Sequence, residues 1–584
     1  MSFFQKHKKL IIVISSIITI IVLAILIIQF IIGNILESKL KESLSKIEDN
    51  NYIIDVGNVK VNLFTMTLIL KDIDIAPDSL LIQKLKQNTS KLSFGLKLKI
   101  PNLRVRNIDV ISLVSDKHLD INNFLIKKAE IQVLLSKDKN VTKPKEKGNN
   151  KFDIDSIVIP GLNGADINKF TLSDFSINVL NAVNDDTIFY AKSLDITLDD
   201  ITLTKNEDDS TSLRLNIHDA DVIMTTEQFR LPGDKYILSF SRMRYDKEQE
   251  LLAFNNLKIK PRFSLKKMVK LSEFQYEIFN VEIKSAEINS LDIGEIIKNS
   301  DIILSNVVVD SMNLNIFKDK HFPFDTTKRP KLPMQSLKLL KQNLYVDSVI
   351  ITNSEITYSE MHKKTDIPMV VNLNKVNASI SNITSISDSI DHRPLMTVSL
   401  LANLQKEIPM GINVYFPMNS VADTFSFNGW MGNGDMKLFN SILLPALGIR
   451  FDAGSIDELK FSATANTTYS IGEMTMLYHD LDGVVVRKDM EQTNKFLSWV
   501  ANTAMIKNNP IPNKEKRTEP MYFNRVMYKG LGNFIWKTLQ SGITATIIPT
   551  MDNKVQKQVD VKLGTDIKTI RKREREEKRK NRKN

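Results

Sequence analysis

From Tyr52 to about residue 490, apolar and polar residues alternate with a period of two, and so long a run of that pattern restricts the chain to a β architecture. Val59, Val61 and Leu63 alternate with Lys60 and Asn62; Leu68 and Leu70 follow, then Ile73 and Ile75 around Asp72 and Asp74. The pattern returns in Phe94-Leu96-Leu98, Phe175-Ile177-Val179, Leu194-Ile196-Leu198, Phe279-Val281-Ile283, Met312-Leu314-Ile316 and Ile412-Val414-Phe416. Successive side chains on a strand point to opposite faces, so each run carries one apolar and one polar face. Asn-, Asp- and Ser-rich stretches between the runs read as turns, which gives roughly 20 to 25 strands. Helical breaks are few and short, around residues 80–86, 265–271, 293–298, 337–341 and 436–447. That is too little helix to cover a long sheet. The apolar face must therefore be covered by a second sheet, as in ordinary sandwich domains, or by a ligand lying along an elongated, curled antiparallel sheet with a groove.

The pattern is different before Tyr52. Residues 1–9 form a basic stub, and Leu10 to Ile32 is interrupted only by Ser15, Ser16, Thr19 and Gln29. As a helix this stretch is roughly 34 Å long, enough to span a bilayer. No small-residue cleavage pattern follows it, so it reads as an uncleaved anchor rather than a signal peptide. Lys6, Lys8 and Lys9 hold the stub in the cytoplasm and direct the rest of the chain outward. Residues 33–51, with Ile35, Leu36, Leu40, Leu44 and Ile47 at helical spacing, read as an amphipathic juxtamembrane helix.

The β pattern then divides into a region at 52–322, a proline-bearing linker at 323–333 and a second region at 334–488. Within the first region, Lys143-Pro-Lys-Glu-Lys-Gly-Asn-Asn150 reads as a polar, charged loop. Residues 489–550 return to helical spacing through Phe496, Leu497, Val500, Val526, Leu531, Phe534 and Leu539. Lys529, Asn533, Lys537 and Gln540 argue against a second span there and favour an amphipathic helix. Residues 551–584 read as a basic, disordered tail.

The formal charge of +11 does not make this a nucleic-acid binder. The stub carries +3 and residues 571–584 carry +6, which leaves +2 for residues 10–570. A near-neutral body is no phosphate-backbone surface. Absence of cysteine excludes disulfides and thiolate metal sites, and fits an exported bacterial protein that needs neither.

No catalytic or metal-binding pattern emerges, and no cofactor is called for. The seven histidines (His7, His118, His218, His321, His362, His392, His479) are scattered and none has the i, i+4 spacing of a helical metal pair. Ser43-Leu-Ser-Lys46 matches S-x-x-K only inside the juxtamembrane helix, and Gly429-Trp-Met-Gly-Asn-Gly434 lacks the leading strand of a phosphate cradle. Asp72/Asp74 and Asp153/Asp155 offer too few oxygens for Ca²⁺ and read as solvated faces. The chain reads as a non-enzyme.

Several segments resemble the AsmA-like proteins of Gram-negative envelopes. One is Asp55-Val-Gly-Asn-Val-Lys-Val-Asn62 leading to Leu68-Ile-Leu-Lys-Asp-Ile-Asp-Ile75. Others are Met312-Asn-Leu-Asn-Ile-Phe-Lys-Asp-Lys320 and Leu344-Tyr-Val-Asp-Ser-Val-Ile-Ile-Thr-Asn-Ser-Glu-Ile-Thr-Tyr-Ser-Glu360. Gly472-Glu-Met-Thr-Met-Leu-Tyr-His-Asp-Leu481 and Lys529-Gly-Leu-Gly-Asn-Phe-Ile-Trp-Lys-Thr-Leu-Gln-Ser-Gly-Ile543 resemble the ending of Bacteroidetes-type members. The resemblance implies inner-membrane anchoring, a periplasmic β-groove, and a role in outer-membrane lipid homeostasis with phospholipid or lipopolysaccharide as partner. On that reading Val61, Leu68, Phe94, Leu96, Ile196, Val281 and Leu314 line a lipid track. The tail residues Arg571, Lys572, Arg573, Arg575, Lys578, Arg579 and Lys580 would dock on an anionic membrane surface. The alternative is a non-enzymatic envelope scaffold with closed sandwich domains that tethers protein partners.

Overall fold

The computed structural model describes residues 52–62, 65–87, 89, 94–135, 162–205, 213–299, 301–362, 367–485 and 505–564. The expected anchor, the juxtamembrane helix, the charged loop at 143–150, the Asp153/Asp155 pair, the helical spacing through Phe496 and Val500, and the docking residues of the tail lie outside these. Among the described residues no helix is long and apolar enough to cross a membrane. The protein is mainly β, with 21 strands among those residues. It divides into two compact units, Met1–Leu257 and Lys258–Asn584.

The first unit holds β1 (Tyr52–Asn62), β2 (Thr67–Pro77), β3 (Phe94–Asp109), β4 (His118–Lys127), β5 (Glu130–Leu135), β6 (Gly164–Asn181), β7 (Thr187–Lys205), β8 (Leu213–Arg230) and β9 (Tyr236–Asp246). The unit boundary falls inside β10 (Leu251–Pro261). Neighbours pair antiparallel from β1 to β3 and from β6 to β9. Strand β3 pairs with β4 and β5 in turn, and both of these run parallel to β6.

Two short helices, α1 (Ser79–Lys86) and α2 (Val110–Ser115), begin at Asp78 and Asp109, whose carboxylates accept the free first-turn amides. They are too small to cover the sheet. Leu68, Leu103, Val105, Phe124, Val133 and Phe175 are nevertheless essentially inaccessible and belong to one apolar cluster. The sheet is curled over its own apolar face.

The second unit holds β11 (Glu277–Asn289), β12 (Ile302–Asp319), β13 (Leu344–Met361), β14 (Met369–Thr384), β15 (Leu395–Leu404), β16 (Ile408–Pro417) and β17 (Phe425–Met431). After these come the two-residue β18 (Gly434–Asp435), then β19 (Ile449–Ala465), β20 (Tyr469–Val485) and β21 (Glu519–Asn524). Pairing is antiparallel from β13 through β17, and onward through β19, β20 and β21. The exception is β12, which is antiparallel to β11 and parallel to β13. A parallel pair needs a crossover connection. Residues 323–333, read as a linker, lie within this crossover, and Leu332 is fully buried in the unit's core.

Helix α3 (Leu531–Ile547) falls inside the segment expected to be an amphipathic helix, and buries Phe534, Thr538, Gly542 and Ala545. Helix α4 (Pro549–Leu563) extends from the last two residues of that segment into those that the sequence assigns to the tail. Its Val555 and Val559 pack with Tyr522 and Ala545, which gives this otherwise polar stretch a buried face. Proline opens it at a position needing no amide, and Gly564 at φ 72° closes it in the left-handed conformation.

Many strands are longer than the runs seen in the sequence. Asp174 in β6, Asn353 in β13 and Lys375 in β14 adopt positive φ where the register slips by one residue. These are bulges, which bend and twist a strand without ending it. At the β13 bulge Asp310 accepts hydrogen bonds from Asn353 Nδ2 and Thr352 Oγ1, both at 2.8 Å. Those two bonds and one from Ser311 hold its carboxyl below the usual carboxylate range.

Candidate functional site

The register of the second unit places apolar residues in continuous rows across its strands, because directly paired residues share a face. One row runs Phe279–Ile316–Tyr358–Val371 from β11 to β14. The next runs Val281–Leu314–Ile356–Leu373–Leu404 from β11 to β15. A third runs Ile288–Val307–Val349–Ile380–Val398–Val414–Phe427–Ala463 and reaches β19.

The opposite face is mostly polar, apart from Ile278, Phe317 and Val370, which the register aligns near one end. Ser399 Oγ donates to Asn413 at 2.8 Å, Asn413 to Asn428 at 3.3 Å, and Thr357 to Asn372 at 3.1 Å. The sheet thus has one apolar side, as the alternation requires.

Coverage of that side changes along the unit. In β16 to β20 it is packed: Val414 is 7% exposed, Phe427 1% and Met474 1%. Helix α3 supplies the cover, with the Phe534 ring 6.1 Å from Phe425 and 6.3 Å from Phe523. In β11 to β14 the same rows are only half-buried, and Phe279 is 40% exposed. The helix Asn440–Leu447 lies against β14, with Ser441 Oγ donating to the Val370 carbonyl at 3.2 Å, and still leaves these rows half-buried.

The residues expected to line a lipid track fall in both units and differ in burial. Leu68 and Leu96 are buried in the first unit's core, where Phe94 and Ile196 are partly buried against it. Val61 pairs with Leu68 on β1 and β2. Val281 and Leu314 pair with each other on the half-buried rows of the second unit.

A charged row ends the apolar face. One step beyond Phe279, Ile316 and Tyr358, on the same side, the register aligns Glu277, Lys318 and Glu360. Lys318 Nζ lies 2.6 Å from Glu277 Oε1. Glu360, 6% exposed, pairs with Lys320 and accepts a 2.7 Å hydrogen bond from Tyr358 OH, and His362 Nε2 lies 2.7 Å away. Burial alone would raise the Glu360 pKa, but the bonds from Lys320 and Tyr358 outweigh it and hold the carboxyl below its usual value. Burial pushes the pKa of His362 down, which favours the neutral imidazole.

Two more lysines reach this corner from the C-terminal region. Lys529 Nζ sits 4.4 Å above the Phe324 ring, and Lys318 stands 5.6 Å from the same ring. Lys537, on α3, donates to Gln540 at 2.7 Å. Burial and the neighbouring lysines lower the pKa of both. Nothing in the sequence pattern marks this cluster, because its members come from β12, β13, the crossover and α3. The sole signal along the chain is Lys529 and Lys537 interrupting an apolar helical stripe.

In the first unit His118 Nε2 lies 3.0 Å from Asp166 and 3.3 Å from Asp120, the one His/carboxylate trio among the described residues with metal-like spacing. Both carboxylates face the same ring nitrogen. Nε2 is hydrogen-bonded to Asp166 and stands at ion-pair distance from Asp120, and a nitrogen that donates to a carboxylate offers no lone pair to a metal.

The chain matches no protein-family model and no curated protein.

Proposed function

We propose that this chain is an inner-membrane-anchored periplasmic protein of the AsmA-like type. It binds lipid passively along an apolar β-groove and serves lipid transfer or outer-membrane lipid homeostasis. The half-buried rows across β11 to β14 are the observation that carries this reading. Acyl chains on such a face gain about 0.8 kcal/mol per buried methylene without any catalytic residue. The polar Ser/Asn/Thr ladder on the opposite side faces water, so a single sheet serves as the wall of a groove.

The second reading, a scaffold with closed β domains, draws on the first unit, whose apolar cluster leaves Leu68, Phe124 and Val133 no access to a ligand. Mass spectrometry of lipid retained by the full-length chain through detergent purification separates the two. Stoichiometric diacyl lipid supports the groove. Lipid-free protein that still folds supports the scaffold.

A further inference from the structure

The charged corner at the end of the apolar face carries more positive than negative charge. Among the described residues, Lys318, Lys320, Lys529 and Lys537 meet Glu277 and Glu360 there. Each glutamate already has a lysine, and His362 is held toward its neutral form. Among the described residues Lys529 and Lys537 have no carboxylate at ion-pair distance, although both are partly withdrawn from water. Half-buried ammonium groups crowded together are costly unless an anion joins them.

We infer that Lys529 and Lys537, with Lys320 beside them, bind the phosphate of a diacyl phospholipid whose chains lie on the Phe279–Val371 and Val281–Leu404 rows. This rests on the groove reading above and names the lipid class it favours. The geometry suits an amphiphile. The charged row follows the apolar row by a single strand step on the same face, so one molecule reaches both. Two adjacent apolar rows offer two chain lanes. Phosphate presents several oxygens to ammonium groups arriving from separate elements, and lysine serves it as a mobile point charge. Burial first, and then the charge of Lys320, depresses the pKa of both lysines, and a bound phosphate would supply the counter-charge that their half-buried site lacks.

The test uses the full-length chain in dodecyl maltoside, titrated with dioleoylphosphatidylglycerol, with dioleoylglycerol and with inorganic phosphate, and read by native mass spectrometry. The phospholipid should bind roughly tenfold or more tightly than the diglyceride, as expected for charge-assisted bonds. The K529Q/K537Q variant should lose that preference, keep its diglyceride binding and melt no lower than the native chain. K529R/K537R should retain the preference. An unchanged preference in K529Q/K537Q, or none in the native chain, overturns the headgroup site while diglyceride binding leaves the groove standing. Inorganic phosphate binding as tightly as the phospholipid overturns the lipid assignment. A native chain that binds neither lipid overturns the groove as well.

Discussion

Leu314 and Phe427 both point to the apolar side of the second unit's sheet, yet they live in different environments. Phe427 is buried in the core that it shares with Phe534 of α3, whereas Leu314 stands on a half-buried row. A new carboxylate at Leu314 stays partly hydrated, so Leu314→Asp should cost about 1–2 kcal/mol and leave a folded chain. Phe427→Asp leaves both a cavity and a buried charge, and should cost more than about 4 kcal/mol. Urea unfolding followed by circular dichroism measures both; equal losses would mean that the two rows are equally packed.

Glu360 carries a pH signature. Its folded pKa lies below the unfolded value, so its contribution is present above about pH 4.5 and disappears as pH falls through the folded pKa. Glu360→Gln strands Lys320 and should cost about 2–4 kcal/mol at pH 7. The gap between native and variant unfolding free energies should close on acidification below pH 4.5. A gap independent of pH would remove the ion pair from the account.

At the scale of elements, the strands were legible and their ends were not. Period-two alternation located the strands because burying one face of a sheet demands it. Of β6 it caught only Phe175 to Val179, because Asp174, an ordinary turn residue, sits at a bulge in the left-handed conformation. The apolar stripe of α3 was visible, but the packed face of α4 was not, since only Val555 and Val559 carry it through a polar sequence. The lysine corner escaped altogether, because spacing along a chain says nothing about a parallel crossover that joins β12 to β13.

The α3 cover is itself testable. A Cβ on Gly542 would fall 2.7 Å from Met521 and 3.1 Å from Met474. Gly542→Val should therefore lower stability by about 1–3 kcal/mol through overpacking. A thermal midpoint unchanged from the native chain would show that α3 is not pressed against the sheet.

For the molecule as a whole, the proposed function depends on which surface meets lipid. On the proposed topology the anchor and basic stub fix the chain at the inner membrane, and the second unit presents its apolar rows to acyl chains. Leu68 and Leu96 are buried in the first unit's core, so the proposed lipid surface lies on the strands around Val281 and Leu314. Ile356 and Thr357 are neighbours on β13 whose side chains leave opposite faces, one on an apolar row and one on the polar ladder.

Placing a photo-reactive benzoylphenylalanine at each position in turn, irradiating cells and weighing the purified chain asks directly which face holds lipid. The account predicts a diacyl-lipid adduct at position 356 and none at 357. Folded protein with no adduct at 356, or with equal adducts at both positions, would contradict it.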